Sequence, residues 1–358
     1  MKGNRKRLSA GVLAAVLLCT MNAPWNLEAD AASKVSFQNK LKAEFDEAEM
    51  RYRPYARWWL AEGSHTDTTL KESIQELYDA GYGGIEFLTL DESQYLDDKT
   101  YAWGSPEWVH DSKLIISECE RLGMSVSMTS GTHWSTANLT SITPDEEAAS
   151  QELGYRTIEL KGSPEGDVKT SYRGQLPQCE LPGQSKKQKL VKVTAAKVTQ
   201  WGKAKEDKDF VSTKVDMDSM IDVTNLAVET AEGYTIDFTA EDSEDYILFA
   251  FYQYGTSENY KPSAEVSYTI NYFAKDGAEA LIKYWDEKVL TPDVQKLINQ
   301  IDECDMYMDS MEVKIGGKNS TGQLWSREML NEFSRRRDYN MTAYLPFLIL
   351  QNSSPDYV

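Results

Sequence analysis

The sequence has few of the residues that build disulfide frameworks and metal motifs, with 4 cysteines and 3 histidines among 358 residues. After the amino-terminal region, the remaining cysteines are widely separated: Cys119, Cys179 and Cys304. This spacing excludes a dense disulfide framework and a zinc motif, and leaves room for one bridge at most. The histidines are also far apart and form no compact metal motif: His65, His110 and His133.

Positive charge is scarce as well. The chain has 38 lysines and arginines against 57 aspartates and glutamates, and its formal net charge is −19. A chain this acidic repels nucleic acid and anionic lipid, and no segment has the pattern of a basic stripe. We therefore expect no nucleic-acid partner.

Long apolar runs are limited to the amino terminus. Residues 2–7 are rich in lysine and arginine, residues 8–21 are apolar, and small residues follow at 29–31. Because this run is short for a membrane span, it predicts a secretory signal peptide over residues 1–31, with a retained anchor as the alternative. We expect a secreted or cell-surface protein that has no membrane contact after cleavage.

Residues 32–152 alternate between strand and helix patterns. A strand containing Trp58 and Trp59 precedes a helix over about 66–80, and a strand over 83–88 precedes a helix that begins at Ser105-Pro106 and stops at Gly123. A third strand covers 125–130. These features predict three β/α units.

The period changes from helical to two at residues 153–265, which predicts a β-rich insertion. Helical patterns return at about 274–290 and after Pro292, and a fourth strand contains Met306 and Met308. Ser326 is then the predicted N-cap of a helix over 326–337. Residues 266–358 therefore continue the β/α series through a fourth unit. The predicted fold is α/β, the amino-terminal half of a (β/α)₈ barrel with a β-rich insertion, and it needs a remaining half.

Candidate site residues follow the predicted strands, because parallel β/α folds place their chemistry at the carboxyl ends of strands. Asp309 and Glu312 follow the fourth strand, and Glu312 is the leading catalytic candidate. The alternative is that both are solvated turn residues. Asp309 would orient Glu312, or bind a hydroxyl or a cation.

The other candidates each have a structural alternative. Trp58 and Trp59 either stack on a sugar ring or fill the core. Glu86, a carboxylate inside a strand, must find a partner or face a cleft. His133, beside Trp134, binds a ligand hydroxyl, transfers a proton or is structural.

Five stretches together resemble glycoside hydrolase family 106, the exported bacterial α-L-rhamnosidases. They are Arg57-Trp58-Trp59, residues 82–86, residues 104–108, residues 121–134, and Asp309-Ser-Met-Glu312 with Trp325, Phe333, Arg336, Tyr339 and Leu345-Pro346. The resemblance spans nearly all of the chain after the leader and keeps the family's order. One departure is the loop over residues 131–138, which lacks the usual glycines and prolines and leaves open whether the sugar is rhamnose.

The resemblance implies a complete (β/α)₈ barrel followed by β-sandwich domains, inversion at the anomeric carbon by two glutamates, and Ca²⁺ near the bound sugar. It makes Glu312 one of that pair and places the second beyond Val358, in the remaining barrel half. Asp309, Trp58, Trp59, His133, Trp134 and Glu86 become substrate-binding candidates. The alternatives are a non-catalytic carbohydrate-binding cell-surface protein and an inactive gene fragment.

Overall fold

The computed structural model of the chain describes residues 27–46, 48–60, 64–89, 100–101, 103–130, 137–202, 213–260, 266–308, 311 and 313–350. The chain divides into two compact units, Met1–Arg53 and Pro54–Val358. In the first unit, helix α1 (Leu27–Asp46) is exposed along residues 34–46 and is followed by a 3₁₀ turn over Met50–Tyr52. No helix in the described ranges is long and apolar enough to cross a membrane.

The second unit contains all of the strands that the structure describes. They are β1 (Tyr55–Leu60), β2 (Gly84–Thr89), β3 (Ser125–Thr129), β4 (Asn138–Leu139), β5 (Gln151–Leu160), β6 (Ser171–Gln175), β7 (Gln188–Gln200), β8 (Lys214–Val215), β9 (Ile221–Asp222), β10 (Ala227–Thr230), β11 (Gly233–Thr239), β12 (Tyr246–Gly255), β13 (Asn259–Tyr260), β14 (Ser267–Thr269), β15 (Cys304–Tyr307) and β16 (Ser320–Trp325).

The helices of this unit are α2 (Asp67–Asp79), α3 (Pro106–Leu122), α4 (Lys275–Tyr284), α5 (Pro292–Ile298), α6 (Met329–Arg337) and α7 (Phe347–Leu350). A π-helical turn over Trp285–Val289 continues α4. Single 3₁₀ turns cover Met217–Ser219, Thr224–Leu226 and Thr342–Tyr344.

A four-stranded parallel sheet is built from β1, β2, β3 and β15, in that order. The helix between β2 and β3 has strong local signals. The Ser105 hydroxyl accepts a hydrogen bond from the Trp108 amide at 3.1 Å, Pro106 occupies the first turn, and Gly123 ends α3 with a φ of 69°. These are the stop and start signals predicted from the sequence.

One face of this parallel sheet packs against helix α3. Ile85 and Phe87 of β2 and Val126 of β3 are at most 2% exposed, and the Phe87 ring lies 6.2 Å from that of Trp108. We call this the helix face of the sheet. Because side chains alternate along a strand, the intervening residues point to the opposite face.

A second, antiparallel sheet has the strand order β16-β5-β12-β7-β8, and its centre is β12, whose ten residues are all buried. Leu248 and Tyr252 lie in a core with Phe238 of the smaller sheet β10-β11-β6. On the other face, Phe249 lies in a core with Trp325 of β16. Because both of its faces are buried, β12 is the central core strand of this sheet.

Two features after β15 differ from prediction. Residues 320–325, for which the sequence predicted no strand, form β16 and pair antiparallel with β5. Helix α6 begins at Met329 with Glu328 as its N-cap residue, so the predicted cap at Ser326 is wrong. Ser326 is 2% exposed, and its carbonyl accepts a hydrogen bond from the Met329 amide at 3.1 Å, so it belongs to a turn that ends β16.

Candidate functional site

The face of the parallel sheet opposite the helix face is polar. Strand register places Arg57, Glu86, Ser127 and Asp305 side by side across its four strands. Two residues further along the strands, toward their carboxyl ends, the residues on the same face include Trp59, Thr129 and Tyr307. We call this surface the inner face. Its hydroxyls are well covered, since Ser127 and Thr129 are 4% and 2% exposed.

An ion pair and an aromatic contact join three strands across the inner face. Arg57 Nε lies 2.7 Å from Glu86 Oε1, and the Arg57 guanidinium lies 4.4 Å from the centroid of the Tyr307 ring. In the sheet β1 and β15 are three strand spacings apart, or about 14 Å. The contact between Arg57 and Tyr307 therefore requires the sheet to curl toward its inner face.

The electrostatics of this group keep the arginine charged. The pKa of Arg57 is raised, chiefly by its hydrogen bond with the Tyr307 hydroxyl and also by the nearby Glu86 carboxylate, whereas partial burial opposes the rise. The carboxylate of Glu86 is the more enclosed partner, with 13% of its side chain exposed against 39% for Arg57. Glu86 has thus both a partner and a position on the inner face, so the two alternatives predicted for it are not exclusive.

The two adjacent tryptophans lie on opposite faces. Trp58 is half-buried and pairs in register with Phe87 on the helix face, which favours the core interpretation for Trp58. Trp59 lies on the inner face and is 50% exposed. Of this pair, Trp59 alone presents a ring to the same surface as Arg57.

The buried hydroxyls of the inner face were missed from the sequence. Ser125, Ser127 and Thr129 alternate with Val126 and Met128 along β3. The apolar half, Val126 and Met128, predicts a strand. Its polar half was an available signal that the other face of β3 lines a polar surface rather than a core.

Four predicted site residues lie outside the described residues: Asp309, Glu312, His133 and Trp134. The segments that contain them leave two adjacent strands, because Thr129 of β3 pairs with Tyr307 of β15. The Ser130 amide also donates to the Tyr307 carbonyl at 3.2 Å. Both segments therefore start from one point on the carboxyl edge of the sheet.

The chain that follows Glu312 is bonded to two buried glutamates. Glu258 Oε1 accepts a hydrogen bond from the Lys314 amide at 3.0 Å, and Glu152 Oε1 accepts one from the Gly317 amide at 3.2 Å. Glu152 Oε2 accepts another from the Ser320 hydroxyl. Burial raises the pKa of Glu152, and the hydrogen bonds from Ser320 and Gly317 oppose it. Burial likewise raises the pKa of Glu258.

Within the described ranges, one group of side chains has the geometry to hold a metal ion: Asp67, His110 and Asp111. It does not fit the Ca²⁺ that the resemblance implies. Calcium takes six to eight oxygen ligands, whereas His110 offers a nitrogen and hydrogen-bonds to Asp67 at 3.1 Å. Asp111 is in turn held by His65 at 2.7 Å. These contacts account for the cluster as two histidine–aspartate pairs that join the region around the start of α2 to the first half of α3.

No protein-family model matches the sequence, and no curated protein sequence matches it. A solved structure does share its fold. The rhamnosidase from Novosphingobium sp. PP1Y matches with a TM-score of 0.56 and 14% sequence identity, over 86% of this chain and 42% of that chain. This chain thus corresponds to less than half of that rhamnosidase. At this identity the likeness shows the fold, and activity has to be argued from residues.

Proposed function

We propose that this chain supplies the amino-terminal half of the (β/α)₈ barrel of an exported, α-L-rhamnosidase-like glycoside hydrolase. The observation that carries the proposal is the polar, curled inner face, where Arg57, Glu86 and Tyr307 meet below an exposed Trp59. A barrel needs such a face at its mouth, where substrate binds. The similarity of the fold to a rhamnosidase supports the same conclusion.

The proposed chemistry is inverting hydrolysis of a terminal sugar. One carboxylic acid protonates the leaving oxygen, and a carboxylate roughly 6.5–9.5 Å away activates water on the opposite face of the sugar. Glu312 is one of the two, and the remaining barrel half supplies the other. In this proposal Asp309 orients Glu312 or binds a sugar hydroxyl, and His133 and Trp134, which follow β3 in the chain, bind the sugar.

The inner face provides complementary contacts for a neutral sugar. An arginine has five N–H donors. Nε of Arg57 pairs with Glu86 and the guanidinium also contacts the Tyr307 hydroxyl, so Arg57 is held in place, and the proposal uses its other donors for sugar hydroxyls. Trp59 offers a flat apolar ring beside them. Polar groups that fix orientation around an aromatic surface are the usual composition of a ligand site.

The test is Glu312→Gln in the full-length enzyme, assayed on an aryl α-L-rhamnoside, with the anomer of the first product read by NMR. Loss of a catalytic carboxylate should lower kcat by roughly 10²- to 10⁴-fold while the circular dichroism spectrum stays unchanged. Glu328→Gln is the control, because Glu328 is an exposed carboxylate of the same region. Near-normal turnover of the Glu312 variant would reject the assignment.

A non-catalytic carbohydrate-binding protein is the second candidate. The exposed Trp59 beside Arg57 favours it, because this surface binds a sugar without needing Glu312. It predicts sugar affinity that survives Glu312→Ala, together with no hydrolysis by the full-length protein. Measurable wild-type hydrolysis that Glu312→Gln abolishes would exclude it.

Export and calcium complete the proposal. Cleavage of residues 1–31 is tested by the amino-terminal sequence of the secreted product. Calcium is tested by elemental analysis of the full-length protein and by activity after chelation. The donors of the Asp67, His110 and Asp111 cluster do not suit calcium, so a calcium ion found by these measurements would have other ligands.

A further inference from the structure

The segment between β15 and β16 crosses from the parallel sheet to the antiparallel sheet. Its first described residues after Glu312 are Val313 and Lys314, and it enters β16 at Ser320. Asn319 already ties the far end of the segment, because its carbonyl accepts from the Tyr155 amide at 2.9 Å. The end nearest Glu312 depends on other contacts.

Glu258 makes the contact closest to Glu312 in the chain. Its side chain is almost enclosed, with the residue 8% exposed, and Oε1 receives the Lys314 amide only two residues after Glu312. Oε2 has no hydrogen-bond partner among the described residues. Burial of a carboxylate with so few donors is costly, and burial is the largest effect on the pKa of Glu258, which it raises.

Glu152 makes the second contact, with the part of the segment that is nearest to β16. It is fully buried in β5, beside Tyr254 of β12, and its oxygens receive Gly317 and Ser320. A Cβ at Gly317 would lie 2.8 Å from both Glu152 Oε1 and the Tyr254 hydroxyl, so only glycine brings the backbone this close. A larger residue at position 317 would have to displace the Glu152 or Tyr254 side chain.

Neither carboxylate is explained by charge pairing. No lysine or arginine within the described ranges forms a salt bridge with Glu152 or Glu258. The Lys314 and Gly317 amides and the Ser320 hydroxyl donate to them, and the side chains of Tyr254 and Thr269 also lower the pKa of Glu152 and Glu258, respectively. Charge-assisted bonds to backbone amides are stronger and shorter than neutral ones. They therefore fix a backbone more tightly than an amide side chain would.

We propose that Glu258 and Glu152 are positioning residues, which fix the backbone of residues 314–320 and thereby restrain the chain that directly follows Glu312. The role in turnover rests on the proposed catalytic role of Glu312. The restraint on the backbone does not, so the two are separable by experiment. Neither residue is assigned contact with the substrate.

The restraint is tested by amide hydrogen exchange of the full-length protein, followed at Lys314 and Gly317. Glu258→Leu removes the acceptor, so exchange at Lys314 should accelerate by at least about fivefold, the equivalent of one net hydrogen bond. Glu258→Gln keeps Oε1 as an uncharged acceptor and should restore most, but not all, of the protection. Unchanged exchange in Glu258→Leu would overturn the proposal.

The effect on turnover is tested in the same variants. A catalytic acid or base displaced by about 1 Å costs up to about 100-fold, so Glu258→Leu should lower kcat roughly 10- to 100-fold with KM within about twofold. Glu258→Gln should recover most of the lost kcat. Faster exchange with normal kcat would overturn the positioning role. If Glu312→Gln itself stays active, the proposed function fails while the exchange result still decides the restraint.

Two further variants guard against a general folding defect. Ser320→Ala deletes one bond to Glu152 but keeps both buried carboxylates, and it should accelerate exchange at Gly317 with a smaller loss of kcat. Asp145→Ala is the matched control, because Asp145 Oδ1 accepts from the amides of Lys186 and Lys187 in a different loop. A kcat loss in Asp145→Ala equal to that in Glu258→Leu would overturn the proposal.

Discussion

Replacing Trp325 with alanine tests whether β16 is docked in the core. Trp325 is 3% exposed and lies in the buried cluster that contains Phe249 and Phe251. A buried tryptophan covers about 150–250 Å², which at about 25 cal/mol per Å² corresponds to about 4–6 kcal/mol. Tryptophan-to-alanine changes in cores cost about 3–5 kcal/mol. We expect a loss of about 4 kcal/mol in the free energy of unfolding.

Thermal and urea unfolding, followed by circular dichroism, measure this loss. At about 2 °C per kcal/mol for a unit of this size, the Tm should fall by roughly 6–10 °C. Trp59→Ala is the control of the same residue type. Trp59 is 50% exposed, so it should cost about half as much. The reasoning is refuted if Trp325→Ala costs less than about 1 kcal/mol, or no more than Trp59→Ala.

Two other predictions concern Glu152 and the tryptophan pair. Burial raises the folded-state pKa of Glu152, so its contribution to stability is fully present below the unfolded pKa and is lost as pH rises through the folded pKa. Glu152→Gln should therefore gain stability relative to wild type between pH 4 and pH 8, in urea unfolding at each pH. Glu159→Gln, exposed on the same strand, is the control, and a pH-independent difference would contradict the argument. Trp59→Ala should weaken sugar binding by at least about tenfold, measured by calorimetry. Trp58→Ala should lower the free energy of unfolding with little change in sugar affinity. Equal losses of sugar affinity in the two variants would contradict the assignment of the two rings to opposite faces.

Helix boundaries were predictable where the signals are local. Ser105, Pro106 and Gly123 mark the ends of α3 within a few residues of sequence, and the structure confirms both ends. The Thr291-Pro292 start of α5 is confirmed in the same way, with the Thr291 hydroxyl accepting from the Val294 amide at 3.5 Å. Such signals act through bonds that span one helical turn, so no tertiary information is needed.

Strand β16 could not be predicted because its pairing is not local. Residues 320–325 have little apolar alternation, Gly322 has a φ of 77°, and the register against β5 shifts between Ser320 and Gln323. Their partner lies about 170 residues earlier in the chain. Ser326 also has the side chain of an N-cap, and only the burial of the preceding strand shows why it is not one.

The candidate site was predictable only in part, for the same reason. The sequence places Glu86 and the two tryptophans on strands, but it does not show that Arg57 and Tyr307 join Glu86 across the sheet. It also does not separate Trp58 from Trp59 until the face of the strand is known. A pair of adjacent aromatic residues on one strand always divides between two faces, so this rule was available before the structure.

The connection between the two sheets gives the β-rich insertion a role in the proposed chemistry. If the insertion only added surface, its contacts with residues 314–320 would be free to use uncharged side chains, which cost less to bury. Two buried carboxylates are used instead, and both bond to the segment that follows Glu312. A rigid acceptor is most valuable where a small displacement changes the reaction rate. On this proposal, Glu258 of the insertion and Glu152 just before it together restrain residues 314–320, which follow the proposed catalytic Glu312.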